Sequence, residues 1–132
     1  MMRGVSETSS RVVVPPRGGL LHILDAAGYS LAGLRRLLAE TAARLEILAA
    51  IGVALAFLLR GAELWHWLVA AVLFALVLAV EALNTAVEVL TDRISPEWSQ
   101  TAKDAKDLGS LAVGLMLTVV GVFVVLVLVE AI

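Results

Sequence analysis

From Leu108 to Val129 the chain runs for 22 residues without one charged side chain. A helix of that length rises ~33 Å, enough to cross a hydrocarbon core ~30 Å thick. In hydrocarbon the backbone must satisfy its own hydrogen bonds, so such a run is a membrane-spanning helix. Two further apolar blocks precede it. Leu64 to Val80 is apolar apart from Trp65, His66 and Trp67 at its start, and the helical reading continues to about Leu90 through Glu81, Asn84, Thr85 and Glu88. No Gly or Pro falls between Glu63 and Leu90, so one continuous helix is expected there. The earliest block, Ile47 to Leu59, is 13 residues long. Leu45 extends it, and Arg44 and Arg60 can snorkel from its ends. The expected fold is therefore all-α and integral to a membrane, with spans at about 45–60, 64–90 and 108–130. Composition agrees: 61% of residues are hydrophobic and the mean hydropathy is +0.97, against ~45–50% apolar in a soluble domain.

Lys and Arg set the expected orientation. Arg3, Arg11, Arg17, Arg35, Arg36 and Arg44 precede the first span, Arg93, Lys103 and Lys106 lie between the second and third, and Arg60 alone lies between the first and second. The positive-inside rule then puts the N-terminus and the second loop in the cytoplasm. Trp65 and Trp67 fall in the far-side aromatic belt, and His66 between them reads as an interfacial residue. Residues 1–19 are polar, contain Pro-Pro and Gly-Gly, lack the apolar core of a signal peptide and read as a disordered arm. From 20 to 132 the chain reads as one membrane domain. It opens with an amphipathic helix at about 20–40, where Leu20, Leu24, Ala27, Leu31, Leu34 and Leu38 share a face opposite His22, Asp25, Tyr29, Arg36 and Glu40. Such a helix lies in the membrane surface. A net charge of −2 gives no electrostatic basis for nucleic-acid binding, and the absence of cysteine excludes thiolate chemistry.

Chemistry enters with Glu81, Asn84 and Glu88, spaced i, i+3, i+7, so that all three leave one helix in the same direction. Thr91 and Asp92 prolong that stripe. A charge at a helix centre in the bilayer costs roughly 2.5–3.5 kcal/mol on insertion scales, so carboxylates kept there need a reason. Leu64 to Glu81 spans ~26 Å of helix rise, which sets Glu81 near the cytoplasmic edge of the hydrocarbon and Glu88 at or beyond the interface. That depth suits groups that meet both a lipid headgroup and a water-soluble partner. In the following loop Ser95-Pro96 reads as a helix N-cap and first position. On the third span Asp107, Ser110, Gly114, Thr118 and Gly121 share a face whose small residues permit close helix approach, and that would carry Asp107 toward the carboxylates.

At these residues the chain resembles the prokaryotic diacylglycerol kinase family, through AAGYSLAGLR (26–35), ETAARLE (40–46), EALNTAVEVLTDRI (81–94) and AKDAKDLGSLAV (102–113). The resemblance spans roughly Leu20 to Val129. It implies a homotrimer in a bacterial inner membrane, with active sites shared between subunits, that moves the γ-phosphate of ATP to the hydroxyl of diacylglycerol. It further implies Glu81 as catalytic base, Glu40 and Glu88 as carboxylates holding Mg²⁺ with ATP, and Asn84, Lys106 and Asp107 as polar groups around the nucleotide. Tyr29 corresponds to a position near the adenine. The chain departs from the pattern in a segment between Arg35 and Glu40 that is one residue shorter, in Asp25 where Lys is common, and in His22 where Arg is common.

The chemistry is consistent with these assignments. Phosphoryl transfer needs mainly alignment and charge neutralisation, and Mg²⁺ bound with ATP commonly uses one or two carboxylates. No phosphate-binding Gly-rich loop is present. Three spans and one surface helix are too small to enclose both substrates, which favours sites shared in a symmetric oligomer. An undecaprenol kinase is the nearest alternative. A small proton-coupled transporter is an alternative of another class, but Leu68 to Val80 offers no polar path through the outer half of the second span.

Overall fold

The computed structural model describes residues 19–130 and 132, and the expected N-terminal arm lies almost wholly outside them. Four helices follow in order: α1 (Leu20–Leu37), α2 (Thr41–Arg60), α3 (Leu64–Ile94) and α4 (Gln100–Leu128), with no strand among the described residues. The last three are long and apolar enough to cross a membrane. The protein is thus an all-helical membrane protein. At 1.5 Å per residue α2 is ~30 Å long, a bilayer's worth, while α3 and α4 reach ~46 Å and ~43 Å. The surplus on α3 and α4 lies at their joined ends, around Ile94 and Gln100, where the polar residues are.

Local chemistry sets each boundary. Among the described residues, those up to Ala32 form one compact unit and those from Gly33 a second. In the first, α1 leaves Leu24 and Leu31 exposed along its apolar face. In the second, the end of α1 is closed by the Arg44 Nε–H, which donates to the Leu38 carbonyl at 2.8 Å and satisfies one of the oxygens a helix end leaves free. Between α2 and α3 the reversal rests on Gly61, at φ 69° and ψ 36°. Its N–H donates to Leu58 O at 3.3 Å and the Ala62 N–H to Phe57 O at 3.0 Å. These paired bonds form a Schellman stop, and the left-handed backbone there favours Gly because a Cβ would crowd the next carbonyl.

α3 then starts on a reciprocal cap. The Glu63 side chain accepts from the His66 backbone N–H, and His66 Nδ1 accepts from the Glu63 N–H at 3.0 Å. His66 is 6% exposed. It therefore does more than sit at an interface, because its Nδ1 closes the helix start by accepting the Glu63 N–H.

The expected helix start at Ser95-Pro96 is not found. Ser95 instead ends α3, at φ −125° and ψ 75°, its N–H donating to Thr91 O at 2.8 Å. Pro96 disfavours helical backbone in the residue before it, so the helix stops there. Ser99 takes the cap one turn later, its Oγ accepting from the Ala102 N–H at 3.2 Å.

α3 and α4 form the principal helix pair, with α2 packed less extensively on both. Phe57, Ala70 and Val127 make a buried cluster at the Gly61 end, bordered by Trp67 and Phe123. Phe57 meets Trp67 edge-on with centroids 5.6 Å apart and Phe123 at 6.4 Å, the geometry the ring quadrupoles favour. Most other large apolar side chains, Leu59, Leu64 and Leu108 among them, are exposed. That is the surface expected where lipid tails or another subunit replace water.

The contact face of α4 differs from the expected one. Ala102, Ala105, Lys106, Gly109, Val113, Met116, Val120, Phe123, Val124, Val127 and Leu128 are the buried or half-buried positions, largely at helical spacing, whereas Asp107, Ser110, Gly114, Thr118 and Gly121 are exposed. A side chain added at Gly114 or Gly121 would meet nothing within 4 Å. Small residues mark a face that can be approached closely, but they do not select the neighbour that approaches it.

Candidate functional site

At the end of the bundle opposite the aromatic cluster, two glutamates are buried on facing helices, and two more lie near enough for their charges to act on one of them. Glu81 on α3 is 5% exposed and Glu46 on α2 is 7% exposed. Thr85, one turn beyond Glu81, and Ala43, one turn before Glu46, are buried as well. Glu81 feels the charges of Glu88 and Glu40, and Glu46 feels that of Glu81. Among the described residues no Lys or Arg forms an ion pair with Glu46, Glu81 or Glu88. Carboxylates gathered at low water content without a basic partner repel one another, and a cation supplied from outside would relieve that.

Glu88 is held in place by its own helix: Asn84 Nδ2 donates to Glu88 Oε1 at 3.3 Å. The other end of that amide, Asn84 Oδ1, is buried without a hydrogen-bond partner and lies against Gly109 of α4. Glu40, in extended backbone just before α2, is ion-paired with Arg36. Among the described residues no three His, Cys, Asp or Glu side chains gather as a ready metal cage. Mg²⁺ bound with ATP commonly uses one or two carboxylate oxygens, with phosphates and waters completing the shell, and Glu40 and Glu88 are carboxylates whose charges both reach Glu81.

Toward the α3–α4 connection the groups alternate in charge. Lys106 Nζ reaches Asp92 Oδ1 across the two helices at 2.5 Å, and Lys103 pairs with Asp107 one turn on. A cleft of about 430 Å³ opens here, lined among others by Asp92, Ser95, Trp98, Ser99, Lys106 and Asp107. On the other side of the carboxylates an apolar groove runs between α2 and α3 from Glu46 along Ile47, Ala50, Ile51 and Ala54 to Phe74 and Leu78. One of the two Glu46 oxygens, Oε2, is buried without a hydrogen-bond partner.

Of the residues expected from sequence, Glu81, Asn84 and Glu88 do share one face of α3, and Glu40 is close enough to act on Glu81. Lys106 pairs with Asp92, which lies one turn beyond Glu88 on α3. Asp107 does not turn toward the carboxylates but stays exposed beside Lys103. Tyr29 belongs to the unit that ends at Ala32 and is exposed on α1. Sequence reasoning passed over Glu46 and Gly109. A signal for Glu46 existed, a carboxylate inside the first turns of a span; for Gly109 there was none, because its importance comes from the neighbouring helix.

Comparison with known proteins bears on the same residues. The model of the prokaryotic diacylglycerol kinase family matches residues 28–128. A diacylglycerol kinase of Sinorhizobium is 43% identical over 110 residues, covering 83% of this chain and 80% of that protein. The diacylglycerol kinase of Pseudomonas aeruginosa is 44% identical over 106 residues, covering 79% and 85%. That of Escherichia coli is 40% identical over 99 residues, covering 72% and 79%.

Proposed function

The chain belongs to the prokaryotic diacylglycerol kinase family, and from that premise we propose how its residues move the γ-phosphate of ATP onto the hydroxyl of diacylglycerol. The observation that carries the assignment is the buried Glu81 near Glu46 and Glu88, none of the three in an ion pair with a Lys or Arg among the described residues. Glu81 is the general base: it takes the proton of the lipid hydroxyl as that oxygen bonds to the γ-phosphorus. The bond from the γ-phosphorus to the β–γ bridging oxygen breaks, and ADP leaves with the electron pair. Positioned proton removal of this kind contributes ~10²–10⁴-fold.

Glu40 and Glu88 would hold Mg²⁺ with ATP. The ion supplies positive charge against the phosphate oxygens when bound. Lys106 offsets charge that develops on the transferring group. Asn84 shapes the site by holding Glu88, Asp107 meets the nucleotide, and for Tyr29 the family pattern alone supports a place near an adenine. The cleft at the α3–α4 connection is of a size for part of a nucleotide, and Lys106 and Asp107 both border it. The apolar groove below Glu46 suits an acyl chain whose hydroxyl end lies at the carboxylates.

The working form is a homotrimer in the bacterial inner membrane, N-terminus in the cytoplasm, with each site completed by a neighbouring subunit. The exposed small residues of α4 and the positive-inside count support these readings.

The test is Mg²⁺- and ATP-dependent phosphorylation in mixed micelles, with diacylglycerol and undecaprenol offered in parallel. Phosphatidic acid from the wild type and none from an assembled Glu81→Gln variant is the expected result. Near-normal turnover in Glu81→Gln would remove the base assignment, and product from undecaprenol alone would change the lipid.

A further inference from the structure

We propose that Gly109 is a positioning residue, whose missing side chain lets the Asn84 amide seat over α4 and so orients Glu88. The inference rests on the assignment of Glu88 as a ligand of the divalent ion. A Cβ built at Gly109 would overlap Asn84 Oδ1, and the next two heavy atoms it meets are Asn84 Cγ at 3.3 Å and Cα at 3.8 Å. All three belong to Asn84, so the hydrogen at Gly109 serves this one side chain. Oδ1 is buried and without a hydrogen-bond partner, because the surface facing it is the Gly109 backbone. With the oxygen lodged there, the amide nitrogen is turned to Glu88 Oε1 at 3.3 Å. The opposite amide orientation would set an oxygen against the carboxylate. An added methyl group at 109 displaces the amide from this seat, and Glu88 then loses the donor that fixes its rotamer. Gly114 and Gly121 on the same helix have no such neighbour, which makes the role specific to 109.

A neutral donor on a charged acceptor is worth about tenfold in an equilibrium constant, the low end of its range being appropriate at this length. Gly109→Ala should therefore weaken divalent-ion binding about tenfold and leave the KM for diacylglycerol within twofold. Ion binding is read without turnover, from the electron paramagnetic resonance of free Mn²⁺ titrated into the full-length protein with a non-hydrolysable ATP analogue. Asn84→Ala removes the overlapping atoms, so Gly109→Ala added to Asn84→Ala should change Mn²⁺ affinity less than twofold.

Mn²⁺ affinity unchanged in Gly109→Ala, with wild-type binding intact and Glu88→Gln impaired, would overturn the positioning role alone. Binding unchanged in Glu88→Gln would overturn the assignment beneath it. If Gly109→Ala does not assemble, the double variant decides: assembly with the Mn²⁺ affinity of Asn84→Ala supports the role. Failure of the double variant as well would make Gly109 a packing residue independent of Asn84.

Discussion

Lys106 offers the sharpest separation of a structural from a chemical role. Its ammonium lies 2.5 Å from Asp92 Oδ1, and the two side chains are 39% and 67% exposed. An ion pair so open to water contributes ~0.2–1 kcal/mol. Replacing Lys106 by Met leaves Asp92 solvated, creates no buried orphan and should lower stability by no more than that amount. If the ammonium also meets the transferring phosphoryl group, its loss costs a charged contact worth ~1.5–3 kcal/mol, or roughly 10–100-fold in kcat/KM for ATP. Asp92→Asn breaks the same ion pair but keeps the cation, and should change kcat/KM less than ~5-fold. The assay is kcat/KM for ATP at saturating diacylglycerol and Mg²⁺ in mixed micelles, alongside unfolding in denaturing detergent. Equal losses in Lys106→Met and Asp92→Asn would refute the reasoning, because the ion pair and not a phosphate contact would then carry the effect.

Glu88→Gln and Glu40→Gln should each raise the Mg²⁺ concentration giving half-maximal activity, and an unmoved Mg²⁺ titration would remove that residue from the ligand set. Gly61→Ala should destabilise the protein by ~1–2 kcal/mol, the cost of a Cβ in left-handed backbone, measured as a shift in the unfolding midpoint with activity retained at low temperature. Ser99→Ala should cost ~1 kcal/mol for a lost helix cap, measured in the same way, and Ser95→Ala less, since the Ser95 hydroxyl meets the Glu97 carbonyl and the Ser99 hydroxyl but caps no helix N–H itself; the reverse order would restore the helix start at Ser95.

How far the sequence alone reached is seen residue by residue. The spans were legible because a bilayer imposes one length on any apolar helix, and the run from Leu108 to Val129 meets it without help from packing. Glu81, Asn84 and Glu88 were legible as one face because the helical repeat is a property of the backbone alone. Gly61 and Ser99 show the limit of local signals. Both end or begin helices through bonds within a few residues, yet Ser95-Pro96 carried an equally good starting pattern and lost it because α3 continues to Ile94.

What only the tertiary structure decided is which faces meet. Periodicity marks every face of α4 but cannot say that Gly109, and not Gly114 or Gly121, is the one pressed against α3. It cannot say that Asp107 turns to Lys103, or that Glu46 comes to lie beside Glu81. The physical reason is the range of the forces involved. Helix formation and membrane insertion depend on neighbours along the chain and on the bilayer, both readable in one dimension. The seating of Asn84 over a glycine and the gathering of carboxylates depend on contacts between helices, which come into being only when the helices pack.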